Sequence, residues 1–232
     1  MLLAPSNIRG LYAGFDTPLA NVDCGNKCAP YNGGIPYCCD ILHAVPTAYP
    51  KEWIHLRTQT DLWQVWKPKN KTHRDEIQAE AGDLILLECM MLPEHGCSRD
   101  LRTLVCRAFP FFPYINSQGE ILGLSYYWEY QERCWVISNL QIVRPEFKNQ
   151  FLQTYETLFD QMPTEHEAFQ YHSAEMRRIF QKRRRTIPLL HRDGHTYKIS
   201  PASEKMHRTT PESLPKYGPY KIADALLFPD EI

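Results

Sequence analysis

FFPYINSQGEILGLSYYWEY, residues 111–130, sets two runs rich in aromatic and branched apolar residues on either side of Ser117-Gln118-Gly119-Glu120. Phe, Tyr and Ile suit a pleated, half-buried surface. Glycine in a short polar turn lets the chain reverse, because it accepts a positive φ without a Cβ clash. The stretch predicts a β-hairpin. Tyr126, Tyr127, Trp128 and Tyr130 are expected to pack on that sheet rather than to stack nucleic-acid bases.

Downstream the periodicity changes. PEFKNQFLQTYETLFDQM (145–162) and PTEHEAFQYHSAEMRRIFQKRRR (163–185) bring apolar residues round every three or four positions, which predicts two amphipathic helices. They break at Met162–Pro163, since proline opens a helix but disrupts its interior. IPLLHRDGHTYKIS (187–200) carries an Asp193–Gly194 turn between short apolar runs, a second hairpin. SEKMHRTTPESLPKYGPY (203–220) reads as an extended strap punctuated by proline. Helices and hairpins that follow one another in blocks point to an α+β fold.

Upstream, residues 1–49 read mostly as loop, interrupted by Pro18, Pro30, Pro36 and Pro46. Pro50 is placed to open a helix over 51–66, with Trp53, Leu56, Leu62, Trp63 and Trp66 on one face. KPKNKTHRD (67–75) is a polar connector, DLILLECMML (83–92) a buried strand that delivers Cys89, and LRTLVCRAF (101–109) one or two helical turns.

The chain has eight cysteines, Cys24, Cys28, Cys38, Cys39, Cys89, Cys97, Cys106 and Cys134, and none beyond. This suggests a cysteine-bearing body, 1–140, and a helical and hairpin lobe, 141–232, packed on it or continuous with it. At 232 residues the chain buries a core without needing cross-links to rescue a small fold. A net charge of −1 gives no global basic field, so a nucleic-acid partner is not expected, while a protein or peptide partner stays open. No run approaches the length of a membrane span, and MLLAPSNIRGLYAGF lacks the basic start and apolar core of a secretory signal. A cytoplasmic location is expected, where disulfides seldom persist.

Free thiols are often small buried hydrophobes. Eight of them between residues 24 and 134 instead suggest ligands for an iron–sulfur cluster or two zinc ions, both of which take sets of four thiolates. Cys24-x3-Cys28 is a ligand-bearing turn eased by Gly25. The adjacent Cys38 and Cys39 are expected to diverge and to serve two ions or two irons. Arg102 and Arg107 lie beside the thiols and are expected to offset thiolate charge and donate to sulfur. His43 and His95 are expected to be hydrogen-bonded rather than ligating.

RRIFQKRRR (177–185) reads as a solvated helix end whose cations suit the helix dipole. Glu165, His166, Glu167, His172 and Glu175 read as solvent-facing. There is no P-loop, GxGxxG, GxSxG or HExxH sequence, so nucleotide-binding, hydrolase and zincin readings have no motif behind them.

CMMLPEHGCSRDLRTLVCRAFPF (89–111) resembles the hallmark of the YkgJ-type cysteine-cluster family, a zinc- or iron-chelating domain. Cys89 precedes an apolar run, Gly96–Cys97 follows, then Arg102-Thr-Leu-Val-Cys106-Arg107-Ala-Phe109-Pro110, with Cys134 as the late cysteine. The similarity covers residues 22–135 and accounts for every cysteine. It departs from the family pattern in the x3 spacing of the first pair, in the longer interval before Cys38–Cys39, in Thr103 where the family has proline, and in Arg99–Asp100 where it has an apolar-aromatic pair. The resemblance implies metal binding at a structural or redox-active site. A similar cluster in flagellin-lysine methylases makes a cluster-dependent protein or peptide methyltransferase the alternative, and an adaptor with a structural metal the second alternative.

Overall fold

The computed structural model describes residues 5–68, 70–90 and 98–221. Its first half runs α1 (Pro5–Gly14), α2 (Gly25–Cys28), β1 (Thr47–Ala48), α3 (Pro50–Gln59), β2 (Trp63–Val65), α4 (Lys71–Ala81), β3 (Ile85–Cys89) and α5 (Leu104–Ala108). Then follow β4 (Phe111–Ile115), β5 (Ile121–Tyr126), α6 (Trp135–Ser138), α7 (Pro145–Gln161), α8 (Pro163–Lys182), β6 (Ile187–His191), β7 (Thr196–Ile199) and β8 (Met206–Thr209). The fold is α+β, with two antiparallel sheets ordered β1-β3-β2 and β4-β5-β6-β7-β8.

The larger sheet grows from the hairpin of residues 111–130. Phe111 pairs with Tyr126 and Phe112 with Ser125, and Gly119 turns the chain at φ 85°. β5 then pairs with β6 through Gly123↔His191 and Leu124↔Leu190. At Gly123 the strands come so close that a Cβ would lie 2.2 Å from the Leu190 carbonyl oxygen, so only glycine fits. The division anticipated at residue 140 thus runs through one hydrogen-bonded sheet, with β4 and β5 before it and β6 to β8 after it. Helix α8 lies on this sheet, and Ser173 accepts the Ile115 N–H at 3.0 Å. Phe147 and Phe151 of α7 pack against Phe15, just beyond α1, with ring centroids 5.3 and 6.1 Å away. These contacts place N-terminal and C-terminal segments around one apolar core.

Several local expectations needed correction. Residues 5–14 are helix rather than loop. Ile8, Leu11, Tyr12 and Phe15 are buried at helical spacing, a pattern obscured by Gly10 and Gly14. The helix opened by Pro50 ends at Gln59, where Thr60 turns extended at φ −163°, ψ 152°. Trp63 lies in β2 opposite Cys89 of β3, so cross-strand pairing, not a helical face, buries it. The polar connector continues into α4, whose N-cap Asn70 accepts the His73 N–H at 3.3 Å. This helix buries no residue, which is why apolar periodicity does not reveal it. The strap contributes β8 to the sheet edge and buries Tyr217 and Tyr220.

The acidic and histidine residues at the start of α8 are not simply solvent-facing. Tyr49 donates to Glu165 at 2.7 Å, and His166 Nε2 lies 2.9 Å from the Gly119 carbonyl. His172 is set among Phe112, Tyr127 and Trp128. The basic run is likewise partly engaged: Arg177 pairs with Glu204 at 3.0 Å and Arg178 with Glu175 at 2.7 Å.

Candidate metal centre

Four separate segments bring thiols together. Cys24 and Cys28 bracket the single turn of α2, begun where Asp23 accepts the Gly25 N–H at 2.9 Å. Cys38 and Cys39 sit on a 3-10 turn after Pro36, with the Cys39 N–H bonded to the Pro36 carbonyl at 2.8 Å. Cys106 lies on α5, whose N-cap is Thr103. Its hydroxyl accepts the Cys106 N–H at 3.1 Å. Cys134 closes the turn after the large hairpin, donating its N–H to the Tyr130 carbonyl at 2.8 Å.

The frame behind them is polar and buried. Glu52 of α3 accepts from Tyr12 Oη at 2.7 Å, from the Leu104 N–H at 2.6 Å and from the Tyr49 N–H at 3.0 Å. One carboxylate thereby ties α1 and α3 to the start of the helix that carries Cys106. Its pKa is raised because it is buried, while those three donors and Arg107 oppose the shift. Tyr130 Oη donates to the His43 carbonyl at 2.6 Å, fastening the cysteine loop to the segment that leads to Cys134.

Cys24, Cys28, Cys38, Cys106 and Cys134 all line one cavity of about 360 Å³. Cys39 is exposed beside it, and its sulfur lies 3.9 Å from that of Cys38. The adjacent pair therefore does not diverge as anticipated. That separation is close to the roughly 3.8 Å edge of a tetrahedron of sulfurs held about 2.3 Å from zinc. Cys89 does not line the cavity; it ends β3 in the small sheet, opposite Trp63. Cys97 and His95 lie outside the described residues. His43 is hydrogen-bonded, as expected, with Nε2 3.2 Å from Asn32 Oδ1 and 3.8 Å from Asp40.

Burial is the largest influence on Cys24, Cys28 and Cys134. It pushes Cys24 up to about 11, reinforced by Cys28 and Asp23 and opposed by Arg102. Burial also raises Cys28 and Cys134, and in Cys134 the neighbouring Cys24 adds to it. Within the adjacent pair, Cys38 is raised by its hydrogen bond to Cys39 and by burial. Cys39 is lowered to about 7 by that same bond, with help from Arg102. Either sulfur of the pair can donate in that contact.

Of the two arginines expected beside the sulfurs, Arg102 lies close enough to lower both Cys24 and Cys39. Arg107 is also on the cavity wall, but its guanidinium bolts backbone together. It donates to the carbonyls of Tyr12 and Phe15 at 2.9 Å each, of Asp100 at 2.9 Å and of Arg102 at 3.3 Å. Its carbon lies 4.0 Å from the centre of the Tyr12 ring. Arg107 therefore contributes charge to the wall while its hydrogen bonds hold the frame. Arg99 and Trp135 also line the cavity and were not singled out by sequence. Arg99 spreads over Phe15 at 4.7 Å.

Among the described residues no three His, Cys, Asp or Glu side chains are grouped to hold one metal ion as they stand. The thiols share a space without closing on a point. Thiolates repel one another, and such a site is ordinarily completed by the cation that gathers them. A second, more open groove of about 610 Å³ lies along Trp53, Arg57, Trp63 and Glu88 and is lined by no cysteine. No helix among the described residues is long and apolar enough to cross a membrane. Comparisons of the chain with protein-family models, curated proteins and solved structures found no match.

Proposed function

We propose that this chain is a metal-binding protein whose cysteines hold an iron–sulfur cluster or zinc ions at the thiol-lined cavity. The observation that carries the reading is the convergence of Cys24, Cys28, Cys38, Cys106 and Cys134, from four segments, on one cavity. Five soft sulfur donors with a single carboxylate, Asp23, on the lining suit zinc and iron–sulfur centres rather than calcium or magnesium. Cys39 is the additional donor nearest to hand, through its contact with Cys38. Cys89 and Cys97 complete the set that the YkgJ-type resemblance implies. Arg102 offsets thiolate charge, and Glu52 and Arg107 keep the ligand-bearing segments in place. A bound centre would cross-link these segments, and an iron–sulfur centre would add a site for electron transfer.

A cavity beside the thiols also favours the enzyme alternative, a cluster-dependent modifying enzyme such as a protein or peptide methyltransferase, over an adaptor. An adaptor needs only a sealed structural site. Metal and acid-labile sulfide content, with an absorption spectrum, measured on anaerobically purified full-length chain tests the main reading. Iron with sulfide and a broad band near ~400 nm, or stoichiometric zinc without colour, is the expected result. Metal-free protein whose thiols all titrate as free would overturn it. Chelation then separates the roles: a structural centre takes the fold with it, and a catalytic one leaves the fold standing.

A further inference from the structure

One edge of the small sheet has no strand beside it. In the order β1-β3-β2, strand β2 is paired on one side alone. The Leu62 carbonyl accepts the Met90 N–H at 2.7 Å, and the Trp66 N–H donates to the Leu86 carbonyl at 3.0 Å. Between these bonds the register is Trp63↔Cys89, Gln64↔Glu88 and Val65↔Leu87. Antiparallel ladders bond at every second residue, so Leu62, Gln64 and Trp66 face β3, and the main-chain N–H and C=O of Trp63 and Val65 point away from it. Leu87 agrees with this phase: opposite Val65, it sends its N–H to the Pro46 carbonyl on the β1 side at 2.8 Å. Among the described residues no hydrogen bond takes up the outward main-chain groups of Trp63 and Val65.

This edge opens on a groove rather than on flat surface. The space of about 610 Å³ follows β2 from Asp61 past Trp63 and Val65 to Lys67, and α3 contributes Trp53 and Arg57 to its lining. Trp53 and Arg57 lie one helical turn apart, with the guanidinium carbon 5.5 Å from the indole centre. A strand edge beside a helix takes up an extended chain: main-chain hydrogen bonds hold it, and alternate side chains meet the lining. Asp61 and Lys67 mark the two ends. They are six residues apart, roughly 20 Å of extended strand, and neither forms an ion pair among the described residues. Opposite charges at the ends favour a peptide with the complementary charges. A second copy of the chain fits less well, because its own β2 is recessed beside α3 and a three-residue strand offers far less area than a stable dimer needs.

We infer that the groove between β2 and α3 binds an extended peptide as an added antiparallel strand, bonded to the main chain of Trp63 and Val65. Antiparallel addition sets an acidic residue near the peptide's N-terminus against Lys67 and a basic residue near its C-terminus against Asp61. The groove is lined by no cysteine, so the inference goes beyond the metal reading and is decided separately from it.

The test is selection from a random phage-displayed library of seven-residue peptides on the immobilised full chain, followed by fluorescence titration of the most enriched peptide. Saturable binding is expected, with an acidic residue early and a basic residue late in the selected sequences. N-methylation of the peptide at every second residue should abolish binding, and at the intervening residues should leave it, because only alternate N–H groups face β2. Val65→Pro removes an outward donor and spares the bonds to β3, as proline does on an edge strand, and should weaken binding about tenfold. Asp61→Lys should reverse the preference at the basic position. Should Val65→Pro fail to fold, the N-methyl series on wild type decides by itself. No enriched peptide, or binding indifferent to which residues are N-methylated, overturns the inference. A dimer of the free chain that Val65→Pro dissociates would also overturn it, by assigning the edge to a second copy. Peptide binding to protein that carries no metal would uphold the inference while removing the metal reading, and metal without peptide binding would do the reverse.

Discussion

His172 provides a pH test of the packing between α8 and the large hairpin. Its ring stacks on Trp128 with centroids 4.6 Å apart and planes 18° from parallel, and meets Phe112 edge-on at 4.4 Å. Burial lowers its pKa from 6.5 to about 4, and the nearby Glu175 only partly opposes this. The unfolded chain binds a proton near the ordinary histidine value, while the folded chain resists until the lower one. Stability is therefore fully present above about pH 6.5 and is lost as pH falls towards 4. With those two values, the loss between about pH 7.5 and about pH 5 works out at about 2 kcal/mol. His172 is half-buried rather than fully buried, which makes this an upper figure. His172→Phe keeps an aromatic ring against Trp128 and has nothing to titrate. Urea unfolding of wild type and variant at both pH values isolates the histidine, because every other group is common to the two proteins. Wild type should lose more stability on acidification than the variant, by up to about 2 kcal/mol. At neutral pH the variant should be at least as stable, since it also removes the unpartnered Nε2. Parallel losses in the two proteins would refute the assignment of His172 as a buried neutral imidazole.

Other outcomes follow from the same geometry. Because burial holds Cys24 near 11 and raises Cys28 and Cys134, metal uptake must displace thiol protons. Zinc affinity should rise steeply from about pH 6 to about pH 9, with proton release visible as buffer-dependent heats, and a flat profile would argue against these ligands. Glu52→Gln turns one of two acceptor oxygens into a donor, facing either Tyr12 Oη and the Leu104 N–H or the Tyr49 N–H. A loss of roughly 3 kcal/mol or more in denaturant unfolding is expected, and a loss under about 1 kcal/mol would contradict the buried network. Gly123→Ala drives a methyl into the Leu190 carbonyl, so it should cost at least about 2 kcal/mol or give insoluble protein. Near-native stability would show that β5 and β6 do not pair as described.

How much of this could be read from the amino-acid order depended on whether the cause was local. The 111–130 hairpin, the break at Pro163 and the Asp193–Gly194 turn follow from propensities and turn chemistry within a few residues, and all appear in the fold. So does the strand that delivers Cys89. Helix α4 escaped because its stability comes from an Asn70 cap and a solvated surface rather than from an apolar stripe. Trp63 was misplaced because its burial comes from pairing with β3 across α4.

The candidate site divides along the same line. Sequence alone determined the residue types, eight thiols with arginines between and beside them, because the soft-donor chemistry of cysteine belongs to the side chain wherever it lies. Tertiary structure decided which thiols meet. It gathered Cys24, Cys28, Cys38, Cys106 and Cys134 on one cavity and left Cys89 in the small sheet. It also turned Arg107 inward to backbone carbonyls and put Arg99 and Trp135 on the cavity wall. Those placements depend on Glu52, Tyr12 and Phe15, residues distant in the chain whose burial and hydrogen bonds form only once the helices have packed.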